Sequence, residues 1–274
     1  MSYTKNPEEI NKIREGGKIL GKILNKLAKM VKPGVSAYEI DLEAERLIVE
    51  AGGLPAFKGF RGHEGEPPFP STICACVNDE LVHGIAHKDK ILKDGDIFTI
   101  DIGMEYPVRS VKNQEKANRK KGYFTDTALT LIVGKVPEET KKLLDVTRKS
   151  LEIGIKQCVV GNTVADIGRA IHDYVEPFGY GIVRDLVGHG VGHAVHEDPR
   201  VPNYYDKAGE KWILKEGVVI AIEPMVNMSG NYKVRVADDG WSISTTDGGL
   251  CAHFEHTIII TKKGPIVVTR RPGE

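Results

Sequence analysis

The chain has 274 residues, of which 41% are hydrophobic and 28% are charged, which is ordinary for a globular protein with a sizeable core. Basic and acidic residues are equal in number, 38 each, so the net charge gives no general attraction for nucleic acid or an anionic membrane. The four cysteines form no CxxC pair, the N-terminus has no apolar signal segment, and no apolar run approaches the ~20 residues that span a bilayer; these features exclude disulfide-rich secreted and membrane proteins and predict reduced thiols in a cytoplasmic protein.

The first predicted elements are two helices. Asn6 is a suitable N-cap, Pro7 suits the first helical position, and apolar residues follow at helical spacing until a break at residues 32–35. A second helix begins at Ser36, where a glutamate three positions later completes a capping box, and ends at the glycines 52–53.

Two predicted strands follow, and each carries an acidic residue. Residues 92–101 contain a turn and a β-rich run that ends at Asp101, and the run 125–131 carries Asp126 near its start. The segment between them, about 105–121, is rich in lysine and arginine. One interpretation of this basic insertion is a solvated loop, and the other is a finger that contacts ribosomal RNA.

The second half of the chain repeats this order of elements. It contains a helix at about 137–159, a helix capped at Thr163 that ends near 177–179, and β runs at 214–223 and 254–260. These β runs place Glu223 and Glu255 where the first half has its aspartates. Internal repetition of this kind indicates that each half is one structural unit of a common core.

The repeat predicts the fold class. Glycines and capping residues recur at an offset of 127 residues, as in the pairs Gly34/Gly161 and Ser36/Thr163. Helices followed by strands in each half favour an α+β protein with antiparallel sheet. We expect a single domain over 1–274, in which two pseudo-twofold-related α/β halves, at about 6–135 and 136–274, share an antiparallel sheet.

The repeated acids predict a metal site. A carboxylate within an apolar strand is costly unless it is paired or bound to a cation. One such acid is ordinary at a strand end, but the pseudo-twofold brings four together, and converging carboxylates repel one another unless cations hold them. Two divalent ions about 3.5–4 Å apart can share a water and lower its pKa from ~15.7 towards ~7.

A glycine-rich segment at 188–199 adds imidazole groups to this prediction. Its glycines allow close approach of backbone and ligand and disfavour a helix. The order of His193, His196 and Glu197 does not match the helical HExxH zinc motif. Carboxylates with one histidine suit a dinuclear, oxygen-rich site better than structural zinc.

Over nearly its whole length the chain resembles the type I methionine aminopeptidases, which have the pita-bread fold. The resemblance consists of seven motifs in order: NDELVHGI at 78–85, IDIG at 100–103, TDT at 125–127, GHGVG at 188–192, HEDP at 196–199, IEPM at 222–225 and FEHT at 254–257. It implies a hydrolase that removes initiator methionine from peptides and nascent chains with a small second residue. It also implies two divalent ions, of cobalt, manganese, iron or zinc, which the sequence does not distinguish.

The resemblance assigns roles to the metal ligands and the catalytic residues. It makes Asp101 the chelating ligand of the first ion, Asp126 and Glu255 the bridging carboxylates, and His189 and Glu223 the ligands of the second ion. Glu223 would also carry the proton of the attacking water. His83 would assist proton transfer at the scissile amide, and His196 would stabilise the tetrahedral oxyanion.

The resemblance further implies an apolar methionine pocket formed by Phe69, Cys74 and Trp241, although simple core packing is an alternative for Cys74. Val195 departs from the family, in which an aromatic residue is frequent at that position, so the pocket is expected to differ in shape. Two other functions stay open: a catalytically inactive pita-bread module that binds peptides or proteins, and a proline-specific exopeptidase of the same fold. We expect a monomer.

Overall fold

The computed structural model describes residues 3–62, 64–108 and 122–274, which contain four α-helices and fifteen strands. The helices are α1 Pro7–Ala28, α2 Ala37–Glu50, α3 Glu138–Lys156 and α4 Val164–Val175, and short 3₁₀ turns lie at Glu176–Phe178 and Lys207–Lys211. The strands are β1 Leu54–Pro55, β2 Ile73–Val77, β3 Glu80–Val82, β4 Ile97–Tyr106, β5 Tyr123–Ile132, β6 Gly181–Ile182, β7 Gly188–Gly190, β8 Glu197–Val201, β9 Val219–Ile222, β10 Met225–Asn227, β11 Val234–Val236, β12 Ile243–Thr245, β13 Cys251–His253, β14 His256–Thr261 and β15 Gly264–Val267.

The predicted helix starts are confirmed. The Asn6 side chain accepts hydrogen bonds from the backbone N–H groups of Glu8 and Glu9, and capping boxes also begin α2 at Ser36 and α4 at Thr163. Each box satisfies backbone donors that the first helical turn leaves without an intrahelical acceptor.

Helix α3 ends three residues before the position predicted from sequence. Its C-cap is Gln157, and the N–H groups of Cys158 and Val159 bond to Ile155 and Gln157 in turn geometry rather than helical geometry. The chain then reaches Gly161, whose N–H donates to the Leu214 carbonyl at 3.0 Å. The helix therefore gives way to a turn that leads to Gly161, which contacts a segment more than 50 residues further along the chain.

Two antiparallel sheets form the centre of the fold. In one, β4 pairs with β5 on one side and with β1 and β2 on the other; the second has the order β15-β14-β9-β7-β8. The described residues also form two three-stranded sheets, β13-β10-β6 and β11-β12-β3. The two central sheets meet where β5 lies beside β14, and there the backbones of Ala128 and Glu255 exchange hydrogen bonds of 3.1 and 3.4 Å. This seam joins the halves of the chain in the α+β arrangement expected from sequence.

Equivalent contacts recur in the two halves. Gly34 and Gly161 both have positive φ, +89° and +100°, and both donate their N–H to a leucine carbonyl that precedes a central strand, Leu92 at 2.8 Å and Leu214 at 3.0 Å. Glycine reaches this backbone region without the steric cost that a side chain brings. The turn that ends each helix–strand unit is therefore built in the same way twice.

Each half packs its helices on its own sheet. One core cluster contains residues of α1, α2, β2 and β4, such as Leu24, Ile40 and Ile100, and another contains residues of α3, α4, β9 and β14, such as Leu151 and Ile167. Within the described part of the chain, no helix has both the length and the apolar character required to cross a bilayer. All four cysteines are buried and free.

Candidate metal centre

The four repeated acids come together at the seam between the two central sheets. Asp101 lies in β4 and Asp126 in the paired strand β5, whereas Glu223 directly follows β9 and Glu255 directly precedes β14. The hydroxyl of Thr257 accepts a hydrogen bond from the Asp126 N–H at 2.9 Å and donates one to the Asp126 carbonyl at 2.8 Å. This exchange holds the two sheets in the register that lets all four carboxylates share one space.

Ligand atoms form two overlapping groups there. Carboxylate oxygens of Asp101, Asp126 and Glu255 lie within 4.8 Å of one another, and so do atoms of His189, Glu223 and Glu255. Although these acids are at least nine-tenths buried, one oxygen each of Asp101, Asp126 and Glu255 has no hydrogen-bond partner among the described residues. Orphaned buried carboxylate oxygens fit a bound cation, and an oxygen-rich donor set with one imidazole suits divalent metal ions.

Burial and mutual repulsion act on these acids in the protein without cations. The pKa of Asp101 is raised by burial and then by the charges of Asp126 and Glu223, and the pKa of Glu255 is raised in the same way. Burial also raises the pKa values of Asp126 and Glu223. Without a cation, the centre therefore retains protons that ordinary carboxyl groups release.

His189 presents one ring nitrogen to the carboxylates. Its Nδ1 lies 2.9 Å from the Gly190 carbonyl and acts as the donor in that contact, so Nε2 carries the lone pair. Nε2 lies 3.5 Å from Glu223 Oε1 and 4.0 Å from Asp126 Oδ2. Burial lowers the pKa of His189 to about 3, and a neutral imidazole with a fixed tautomer is the form that binds metal.

The glycines beside His189 permit its position. Strand β7 lies between β8 and β9, and a Cβ atom on Gly188 would lie 2.4 Å from the Ala221 carbonyl oxygen. A Cβ atom on Gly190 would lie 2.2 Å from the Asp198 carbonyl oxygen. Larger residues would push β7 away from its neighbours, so the glycine-rich segment supports the placement of the histidine.

A cavity of about 320 Å³ opens beside the carboxylates. All ten residues predicted from sequence as ligands, catalytic groups or pocket residues line it: His83, His196, Glu223, Phe69, Cys74, Trp241, Asp101, Asp126, His189 and Glu255. The cavity therefore has a charged end and an apolar end, as expected for a site that cleaves a bond next to an apolar side chain.

The two predicted catalytic histidines both line the cavity. His83 has a left-handed backbone, with φ of +57°, a conformation that a non-glycine residue adopts at a cost and that is frequent at functional sites. Burial lowers its pKa to about 4. The exposed ring of His196 packs edge-on against that of His189, with centroids 4.4 Å apart. Both histidines can therefore reach a substrate held at the carboxylates.

The apolar end is formed by aromatic rings and small side chains. Phe69 and Trp241 pack edge to face with centroids 5.2 Å apart, and Trp241 Nε1 donates to the Pro67 carbonyl at 3.2 Å. Cys74 and Val195 belong to the same apolar cluster. The pocket tryptophan is thus fixed by both packing and a hydrogen bond.

The sequence prediction missed several residues of this site. Phe57 and Phe60 line the apolar end, and Phe60 packs edge-on against the His196 ring at 5.3 Å. The sequence motifs assign no role to His253, yet its Nε2 lies 3.5 Å from Glu223 Oε2. The signal that could have placed it in the site is its position in the sequence, two residues before the predicted ligand Glu255. Asp185 and Arg200 also line the cavity, and no sequence motif indicated them.

Most of the predicted basic insertion, residues 109–121, lies outside the described residues. Its proposed contact with ribosomal RNA therefore stays a prediction.

Comparisons with known proteins agree on one family. The profile of metallopeptidase family M24 matches residues 11–262. Methionine aminopeptidase 1 of Bacillus subtilis is 43% identical over 270 residues, covering 98% of this chain and 100% of the relative; a methionine aminopeptidase of Clostridium acetobutylicum is 42% identical over 269 residues, covering 98% and 99%. The crystal structure of a methionine aminopeptidase from Thermotoga maritima matches with a TM-score of 0.87 and 37% identity, covering 99% of this chain and 100% of that one.

Proposed function

The chain belongs to metallopeptidase family M24, and we propose that it acts as a methionine aminopeptidase on peptides and nascent proteins with a small second residue. It is a hydrolase that removes the N-terminal methionine. The observation that carries the site assignment is the single cavity in which a carboxylate cluster faces an apolar pocket. The cluster can hold cations and the pocket can accept a thioether side chain.

Membership of the family implies that the enzyme uses divalent metal, and we propose that it holds two ions. Asp101 would bind the first and His189 the second, while Asp126 and Glu255 would bridge them and Glu223 would complete the second site. The overlap of the two ligand groups at Glu255 supports this division. Bound ions would polarise the substrate carbonyl and lower the pKa of a shared water.

The protein's own residues would bind the substrate and move protons. We assign to Glu223 the removal of a proton from the attacking water, because its carboxylate faces His189 on one oxygen and His253 on the other. His83 would assist transfer of that proton to the leaving amine, and the His196 ring would donate a hydrogen bond to the substrate carbonyl as negative charge develops there. Phe69, Trp241 and Cys74 would hold the methionine side chain and exclude water.

The two alternative functions are weaker. An inactive binding module would have lost ligands, yet all five proposed ligand positions carry metal-binding side chains and converge on one cavity. A proline-specific exopeptidase is disfavoured by relatives at 42–43% identity over nearly the whole chain that are methionine aminopeptidases. Because Val195 stands where an aromatic residue is frequent in the family, the preference for the substrate side chain in the pocket should differ in detail from that of relatives with an aromatic residue there.

Hydrolysis of Met-Ala-Ser and Ala-Pro-Ser by the metal-free protein, and after addition of cobalt, manganese, iron or zinc, tests the function. We expect release of methionine from the first peptide only, and only with metal. Cleavage of Ala-Pro-Ser alone would overturn the assignment in favour of the proline-specific enzyme, and cleavage of neither peptide with any metal would favour the binding module.

We further propose that the enzyme is a cytoplasmic monomer that meets nascent chains at the ribosome through the basic insertion at 105–121. Deletion of residues 107–121 should weaken salt-sensitive ribosome binding, because contacts with RNA phosphates release counterions, while tripeptide hydrolysis is retained. Ribosome binding that is unchanged by the deletion would refute this role.

A further inference from the structure

Two charged side chains of the cavity are not needed for metal or catalysis. Apart from the four clustered acids, the charged residues that line the cavity are Asp185, between β6 and β7, and Arg200, in β8. Both are exposed, and neither side chain forms a hydrogen bond or an ion pair within the described part of the chain. A guanidinium and a carboxylate therefore remain free to contact a substrate at the cavity mouth.

The sheet register directs Arg200 towards the reacting centre. Arg200 lies directly opposite His189 in the antiparallel pair of β7 and β8. Side chains of directly opposed residues project from the same face of a sheet, with Cβ atoms about 4.5–5.5 Å apart. The Nε2 atom of His189 points at Glu223 from that face. The side chain of Arg200 therefore starts beside that of His189 and lines the same cavity as the carboxylates.

Substrate geometry matches this position. If the methionine side chain fills the pocket of Phe69 and Trp241, the rest of the peptide must leave through the mouth, and an extended chain advances about 3.3–3.6 Å per residue. The third and fourth residues of the peptide then lie beyond the cleaved bond, near the cavity mouth, where an exposed side chain such as that of Arg200 can contact them. A guanidinium there favours carboxylate, with which it can form two parallel hydrogen bonds.

We propose that Arg200 is a specificity-determining residue that binds a carboxylate downstream of the cleaved bond. The carboxylate is either an acidic side chain at the third or fourth position of the substrate or the C-terminus of a short peptide. Asp185 on the same rim opposes that preference by repulsion. This inference rests on the proposed function, because it assumes that methionyl peptides occupy the cavity.

The test compares kcat/KM for Met-Ala-Glu-Ser and Met-Ala-Gln-Ser, both amidated at the C-terminus, and for the corresponding fourth-position pair, Met-Ala-Ser-Glu and Met-Ala-Ser-Gln. The metal-loaded enzyme should prefer the glutamate peptide of at least one pair by roughly two- to fivefold at low salt, the range of an exposed ion pair, and the preference should shrink as salt screens the charges. Arg200→Gln should bring the ratio close to one, Arg200→Lys should keep part of it, and Asp185→Asn should increase it. Each variant is scored by the ratio of kcat/KM for the two peptides of a pair, so a loss of activity that affects both peptides equally does not change the score.

Met-Ala-Ser with a free or an amidated C-terminus separates the two sources of carboxylate. A preference for the free acid that disappears in Arg200→Gln assigns the short-peptide terminus, whereas a response of the glutamate pairs assigns an internal acidic residue. Ratios that Arg200→Gln leaves unchanged in every pair would overturn the inference. If the unsubstituted enzyme cleaves none of these peptides, the proposed function fails instead, and the two failures are thus distinguishable.

Discussion

Asp126 lies where the two proposed ion positions meet. Its carboxylate groups with Asp101 and Glu255 on one side and with His189 and His196 on the other, and its backbone is bonded in both directions to Thr257. The Asp126 side chain therefore lies within reach of possible ligands on both sides, while its backbone belongs to the seam. Removal of the carboxylate alone should separate these two roles.

Asp126→Ala is expected to abolish metal retention and turnover together, because it removes the proposed bridging ligand of the two proposed ions while leaving the backbone bonds to Thr257 in place. Metal content after gel filtration and hydrolysis of Met-Ala-Ser measure the two effects. Turnover should fall by more than the ~10–100-fold that loss of a residue orienting a ligand costs.

Asp173→Asn is the matched control, since Asp173 is an exposed acid in α4, and it should keep both metal and turnover. Retained turnover in Asp126→Ala would contradict the bridging role.

At the scale of elements, the sequence predicted what depends on local chemistry. Capping residues predicted where helices begin, and the repeated strand pattern predicted where the four acids lie. Both signals depend on residues that are only a few positions apart in the sequence. The end of α3 was misplaced because the turn that follows it leads to Gly161, which bonds to the distant Leu214. Phe60, Asp185 and Arg200 were missed because they enter the cavity from loops or from an edge strand, and their placement depends on packing between distant segments.

Strand β7 gives the second prediction. Gly190→Ala should lower stability by about 1–3 kcal/mol, as overpacking does, and should also lower metal affinity. The reason is that the added Cβ would lie 2.2 Å from the Asp198 carbonyl oxygen, so β7 must move and carry His189 away from Glu223. Urea unfolding and a metal titration measure the two effects.

Gly16→Ala in α1 is the control for added volume. Its Cβ would meet Tyr106 at 3.3 Å, a much milder contact, and alanine favours helix by up to ~1 kcal/mol. This variant should therefore be near neutral in stability and keep its metal. A Gly190→Ala protein that matches it in both measurements would show that β7 does not require the glycine.

At the scale of the whole molecule, the fold brings acidic side chains close together, and bound cations would reduce the repulsion between them. Two sheets with separate cores meet at a seam, and the seam brings four acids into one buried space. In a protein with 38 basic and 38 acidic residues, this cluster is a local concentration of negative charge. The stability of the metal-free fold should therefore depend on pH in a way that the metal-loaded fold does not.

The sign of that dependence follows from the raised and lowered pKa values. Burial raises the pKa of Asp126 to about 7 and that of Glu223 to about 8, so between their unfolded values near ~4 and these values the folded state holds more protons, and stability falls as pH rises. Burial lowers the pKa of His189 to about 3 and that of His253 to about 4. These histidines give stability that is lost as pH falls through ~6.5, where the unfolded imidazoles take up protons, and their effect on the slope fades by about one pH unit above that value.

We therefore expect the metal-free protein to lose thermal stability between pH 6.5 and 8.5, over most of which the clustered carboxylates set the slope. The loss should be several degrees, since about 1 kcal/mol corresponds to ~2–4 °C in a protein of this size class. Bound cations hold the carboxylates ionised, so the stabilisation by metal should grow across the same window. Scanning calorimetry of EDTA-treated and metal-loaded protein measures both curves. Asp126→Asn should flatten the metal-free curve, because it removes one titrating group, and a metal-free Tm that rises from pH 6.5 to 8.5 would mean that the clustered acids do not retain protons in the fold.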